Sequence, residues 1–141
     1  MTKTTNYNLN QWEESDRVTR EDFNADNAAI DAALAEKPSL AFGMFFGDGK
    51  TPRDINLGYR PTAVLVTDRN GSVVRDNGAA PSYCGGFATP SGYGTAATPF
   101  GNTTVTITDT GFRVFYYTNE TYNYTVATNA NGEFRYYMVL R

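Results

Sequence analysis

The hydrophobic pattern of this chain changes period at Leu40, from a helical repeat before it to strand-like alternation after it, and so divides the 141 residues into two unlike parts. Ahead of the change, the spacing predicts one helix. Thr19 is a good N-cap, Asp22 stands three residues on in the capping-box position, and Glu21 lies in the positive first turn. Alanines fill much of residues 28–35, and Pro38 forces an end near Glu36 or Lys37. At about 100° per residue, Phe23, Asn27, Ile30 and Leu34 fall on one narrow face. Phe23, Ile30 and Leu34 on a helix about 25 Å long cannot offset the entropy of ordering it, so the face needs a partner. Identical neighbours in a homo-oligomer would supply one, with Asn27 as the seam residue that fixes register. Packing on the C-terminal domain is the alternative.

Beyond Leu40, strands are predicted at 41–46, 53–57, 62–68, 72–75, 103–108, 112–117, 121–127 and 134–140. Ala63 to Val66 is apolar on both faces, which places it centrally. Asp48-Gly49, Asn70-Gly71, Asn77-Gly78, Asp109–Gly111 and Asn131-Gly132 supply turns. Short strands, regular turns and 14% aromatic content read as a mainly β chain, an antiparallel β-sandwich preceded by a short oligomerising α-helix. Residues 1–39 are the expected leader and helix, and 40–141 the expected β-domain. Its expected core comprises Val64, Val66, Val105, Ile107, Phe112, Val114, Phe134, Tyr136 and Met138.

One stretch departs from this rhythm. No charged residue occurs between Asp76 and Asp109, and residues 78–101 hold six glycines, three prolines and four aromatics. A connection this long with little strand character is usually functional or disordered, and aromatic rings argue against disorder. Tyr83, Phe87, Tyr93 and Phe100 suit stacking on sugar rings or on a neutral polymer. Packing on a sister subunit and burial in an ordinary core remain as alternatives. Tyr116, Tyr117, Tyr122 and Tyr124 read as strand residues first and ligand contacts second.

Chemistry is constrained by what is missing. Without histidine, the usual base of serine and cysteine triads and the usual zinc ligand are absent. Cys84 is single, so no disulfide framework is possible, and it reads as a small buried hydrophobe. The aspartates mostly adjoin Gly or Asn, where turn formation explains them, and DRNG at 68–71 lacks the downstream ligands of a calcium loop. No catalytic residue, metal site or cofactor is expected. A net charge of −3 and a pI of about 4.8, with no Lys/Arg cluster, argue against nucleic acid, and no run approaches a membrane span.

The first quarter of the chain carries a resemblance. TTNYNLNQWEESDRV and DFNADNAAIDAALA, with Trp12, Arg17, Val18, Asp22, Phe23, Asn24, Asn27, Ile30, Asp31 and Leu34 in place, are similar to the leader of tail fibre and baseplate-associated proteins of Firmicutes phages and prophages. More loosely, GDGK, INLGYRPTAVLV, ITDTGFRV and NANGEFRYYMVLR resemble a small β-sandwich used as a distal module of phage tail proteins. The resemblance implies a noncatalytic, receptor-binding virion protein. It would be a homotrimer, attached by its N-terminus to other tail or baseplate proteins, with its β-domain contacting a host cell-surface glycan or protein. A purely structural tail component and a small polysaccharide depolymerase are the alternatives. MTKTTNYNLNQW has no signal-peptide character, so synthesis in the bacterial cytoplasm and residence in the phage tail are the expected localisation.

Overall fold

The computed structural model describes residues 1–76, 78–90 and 96–141. The chain divides into two compact units, Met1–Pro38 and Ser39–Arg141.

In the first unit, β1 (Thr2–Lys3) and β2 (Asn10–Gln11) pair antiparallel ahead of helix α1 (Arg20–Ala35). Thr19 caps the helix. Its hydroxyl oxygen accepts the Asp22 N–H at 3.2 Å and donates to the Asp22 carboxylate at 2.6 Å. The leader docks through polar groups: the Asn10 N–H donates to Asp26 Oδ1 at 2.9 Å, and the Asn10 amide to the Asp22 carbonyl at 3.3 Å. Asp22, Asp26, Ala29 and Ala33 are half-buried, whereas Phe23, Asn27, Ile30 and Leu34, about a quarter turn round, are exposed.

The second unit is built of strands β3 (Leu40–Phe46), β4 (Arg53–Asn56), β5 (Ala63–Asp68), β6 (Val74–Arg75), β7 (Ser82–Tyr83), β8 (Gly86–Ala88), β9 (Ala96–Ala97), β10 (Thr103–Thr108), β11 (Gly111–Val114), β12 (Tyr116–Asn119), β13 (Tyr124–Ala127) and β14 (Phe134–Leu140). Among the described residues they form three four-stranded sheets, ordered β3-β14-β5-β8, β4-β11-β10-β9 and β12-β13-β7-β6. Pairing is antiparallel except between β7 and β13, which run parallel, a correction to the all-antiparallel expectation. Val64, Val66, Val105, Phe112 and Val114 are fully buried in one core drawn from the first two sheets, with Ile107 only half-buried against it. The Phe112 ring lies 5.2 Å from Tyr137 and 6.1 Å from Phe45.

The alternation of β14 is the reverse of that expected. Phe134 and Tyr136 are exposed and Met138 is half-buried, while Arg135 and Val139 are buried. Charge is the reason. Arg135 stands between Phe45 on β3 and Asp68 on β5, facing the interior. Its NH1 donates to Glu133 at 2.8 Å and to the Phe134 carbonyl at 3.0 Å, and its NH2 to the Ala127 carbonyl at 2.5 Å. Asp68 accepts the Asn70 and Ser72 N–H groups, both at 2.8 Å, and Arg75 Nε at 2.6 Å; Arg75 also reaches Glu133 at 3.1 Å. With Arg135 held inside, the period of two sends Phe134, Tyr136 and Met138 to the other face. Gly43 stands opposite Tyr137, and only a residue without Cβ lets that ring lie across β3.

The uncharged stretch is not one long loop. It contains β7, β8 and β9, each in a different sheet. Gly85, between β7 and β8, packs against the Val66 carbonyl where a Cβ has no room. The predicted strand 112–117 splits at Phe115 into β11 and β12 of separate sheets. The predicted strand 121–127 shortens to β13 because residues 120–123 turn the chain.

Burial raises the Asp68 carboxyl pKa, but Arg75 and the Ser72 and Asn70 N–H groups outweigh it and hold the group below its ordinary value. At Glu133 burial is likewise outweighed, by Arg135 and Arg75. Depressed folded-state pKa values give stability that is present above the unfolded carboxylate range of about pH 4 and is lost as pH falls through the lowered values. Denaturant melts from pH 7 down to pH 2 should therefore show stability falling on the acid side, with a shallower fall in Asp68→Asn. Phe112→Ala should cost about 3–5 kcal/mol in the same melts at pH 7.

Candidate functional site

Of the described rings singled out in the uncharged stretch, Tyr83 and Phe100 both pack on Tyr124, while Phe87 stands in another sheet. Tyr83 is buried, its ring edge-on to Tyr124 at 5.6 Å in a second small core with Val126, so its assignment as a ligand contact is corrected. Phe87 is exposed, but on β8, paired with Leu65 of β5 in the first sheet. Tyr93 lies outside the described residues. Phe100 is the one whose surroundings form a site.

Phe100 sits in a tight turn between β9 and β10. The Gly101 N–H donates to the Thr98 carbonyl at 2.9 Å, with Pro99 in the second turn position that its fixed φ favours. The Thr98 N–H donates to the Asn102 carbonyl at 2.8 Å, and the buried Thr98 hydroxyl accepts the Asn102 N–H at 3.3 Å. A second turn, between β12 and β13, presents Tyr122. Asn119 Oδ1 accepts the Tyr122 N–H at 3.2 Å, and Asn123 adopts a φ of 51°, a left-handed conformation that asparagine tolerates. Phe100 and Tyr122 stack at 4.3 Å and 13°. Phe100 is also parallel to the fully buried Tyr124, at 5.5 Å and 6°. Tyr124 is itself fixed, because its hydroxyl accepts from the Asn119 amide at 3.2 Å and from the Asn102 amide.

The outcome is a pair of half-exposed, parallel rings resting on a buried third, with side-chain amides beside them. Because the two rings face each other, each covers one π-face of its partner, and the uncharged half of each ring that remains in water can meet the C–H groups of a sugar ring. Burial raises the Tyr83 and Tyr117 phenol pKa values, with Tyr124 adding to each, so these hydroxyls stay neutral at physiological pH. Sequence reasoning ranked Tyr122 and Tyr124 as strand residues and passed over Asn102 and Asn119. The available signal was the Asn-flanked spacing of the 119–124 segment, which favours a turn over a continuous strand.

Burial pushes the Cys84 thiol pKa up, keeping it protonated and unreactive. Among the described residues no group of His, Cys, Asp and Glu is placed to hold a metal ion, and no helix is long and apolar enough to cross a membrane. No protein-family profile, curated protein or solved structure matches this chain.

Burial separates scaffold from surface in this cluster. Tyr83→Ala should lower stability by about 3–5 kcal/mol, as for other buried aromatic truncations. Tyr122→Ala should cost less than about 1.5 kcal/mol, the loss of one exposed stacking contact. Urea melts of the two variants test the ordering.

Proposed function

We propose that this protein is a noncatalytic phage or phage-derived tail protein that recognises a neutral glycan of the bacterial cell surface through Phe100 and Tyr122. In this reading Ser39–Arg141 folds as a β-sandwich, and Met1–Pro38 provides attachment to other tail proteins and a parallel trimer through Phe23, Asn27, Ile30 and Leu34. The stacked Phe100–Tyr122 pair carries the proposal. Two hydrophobic rings held half in water by hydrogen-bonded turns gain less for the isolated fold than buried ones would, and their exposed halves give a saccharide a preformed contact. The absence of histidine and the protonated, buried Cys84 support a binding role over catalysis. The exposed seam of α1 supports self-association, since nothing in its own unit buries it. A purely structural tail component is the competing reading, which that seam favours equally. Binding to cell wall separates the two.

The test is a pull-down of the full chain on purified cell-wall fractions of Firmicutes. Wild type should bind, with little change between low and high salt, because an uncharged contact gains little from Coulomb attraction. The double variant Phe100→Ala, Tyr122→Ala should lose binding while still melting cooperatively with the near-ultraviolet circular dichroism of a folded chain. Retained binding by that variant, or binding by none of the fractions, would remove the glycan reading.

A further inference from the structure

We infer that the outer face of the β3-β14-β5-β8 sheet is a self-association surface, covered by the same face of a second copy of this chain. This is separate from the α1 seam and does not depend on the glycan reading. Strand register assembles the face in rows. Phe46 pairs with Phe134, their rings edge-on at 4.8 Å; Met44, Tyr136 and Thr67 form the next row; Phe42, Met138, Leu65 and Phe87 the next; Leu40, Leu140 and Ala63 the last. None of these rows contains Asp, Glu, Lys or Arg.

Size argues that this face has a cover. Phe42, Met44, Phe46, Phe87, Phe134 and Tyr136 are each between 44% and 74% exposed. At roughly 150–250 Å² for a large side chain, these six alone leave on the order of 600 Å² of apolar surface in water. That reaches the upper end of the ~300–600 Å² found for the largest patch on a monomer. With Leu40, Leu65, Met138 and Leu140 added, it approaches the ~800 Å² per partner of a stable interface.

Sequence pattern argues the same way. LAFGMFF in β3 and AVLV in β5 are apolar on both faces, the mark of strands covered on both sides. One side is covered by the core shared with the β4-β11-β10-β9 sheet. The other is open.

A copy of this chain is the occupant that the chemistry favours. Within its rows the face offers no charge to read an acidic or basic partner, and the arginines that flank it, Arg69 and Arg75, stand only at its Phe134 end beside Glu133, too few to seat it on a lipid surface. Its polar groups are too few to orient a saccharide. An apolar face set against itself about a symmetry axis meets no like-charge repulsion, despite the net charge of −3. Two shallow hollows cross it, one of about 230 Å³ lined by Phe42, Leu65 and Tyr136, the other of about 190 Å³ lined by Leu40, Phe87 and Leu140. Each can receive a side chain from the facing copy.

Light scattering of the full chain at micromolar concentration tests the inference. Wild type should give a multiple of 15.5 kDa. The double variant Phe42→Glu, Met44→Glu should need at least tenfold higher concentration to associate, with its near-ultraviolet circular dichroism unchanged. Should that variant fail to fold, Phe87→Glu on β8 reads the same surface from its opposite edge and should weaken association likewise. A monomeric wild type overturns the inference, as does wild-type mass in the folded face variants. A control variant, Phe23→Glu with Ile30→Glu, isolates the α1 seam. Loss of association in that control alone assigns assembly to α1, overturning the sheet-face interface while leaving the trimer reading intact.

Discussion

The guanidinium of Arg135 lies wholly inside the protein, where a charge is tolerated only with partners. Glu133 and the Phe134 and Ala127 carbonyls provide them, while Nε has no hydrogen-bond partner among the described residues. A buried ion network of this kind adds little net stability over apolar packing. What it sets is orientation. A slip of β14 by one residue would turn Arg135 into water and bring Phe134 and Tyr136 inward, losing Arg135 from the interior network that Asp68, Arg75 and Glu133 share. The core against β11 and the open apolar face are therefore two sides of one choice.

A second set of polar ties joins sheet to sheet. At Phe115 the chain leaves β11 for β12, and Thr128 marks the crossing. Its hydroxyl accepts the Phe115 N–H at 2.8 Å and lies 2.9 Å from the Thr104 carbonyl and 3.0 Å from the Phe115 carbonyl, to either of which it can donate. Next to it the buried Asn129 donates to Asp48 at 2.6 Å and to the Lys50 carbonyl at 2.8 Å, pinning the turn after β3. The side chains of both residues are hydrogen-bonded, and they satisfy the Phe115 N–H and the Lys50 carbonyl where the sheets change direction. This junction brings the turn carrying Phe100 beside the turn carrying Tyr122.

Period and turn chemistry made the strands legible. Thr103–Thr108 and Phe134–Leu140 fall where alternation placed them, and the Thr19 cap of α1 follows from local hydrogen bonding alone. The facing of β14 was not legible. Hydropathy favours burying Phe134, Tyr136 and Met138, and only tertiary pairing across β5 and β3 shows that Arg135 has an interior network to join. The uncharged stretch misled for a related reason. Its neutrality has a structural cause, since Tyr83, Cys84, Gly85, Ala88 and Thr98 are buried as the segment passes through three sheets, and a charge at those places would lack a partner. Absence of charge thus marked interior strands as well as an exposed aromatic turn. Of the described rings chosen on that signal, Phe100 lies at the surface of the aromatic cluster and Tyr83 packs below it on Tyr124, and their partners came from a segment that reads as strand.

In the proposed reading, affinity follows from the dimensions of the Phe100–Tyr122 platform. Two half-exposed rings present only on the order of 200 Å², far below the ~800 Å² per partner of a stable protein interface. What they have is order. Thr98, Asn102 and Asn119 fix the turns, and the buried Tyr124 fixes the plane on which Phe100 lies, so a ligand would find the rings already placed. A preformed but small contact gives weak binding per copy, and strength then depends on how many copies act together. In the proposed reading, the apolar seam of α1 and the open sheet face supply that number, each being a surface that its own unit leaves exposed. The same apolar side chains that lie exposed in one chain would then make several weak platforms act as one receptor-binding assembly.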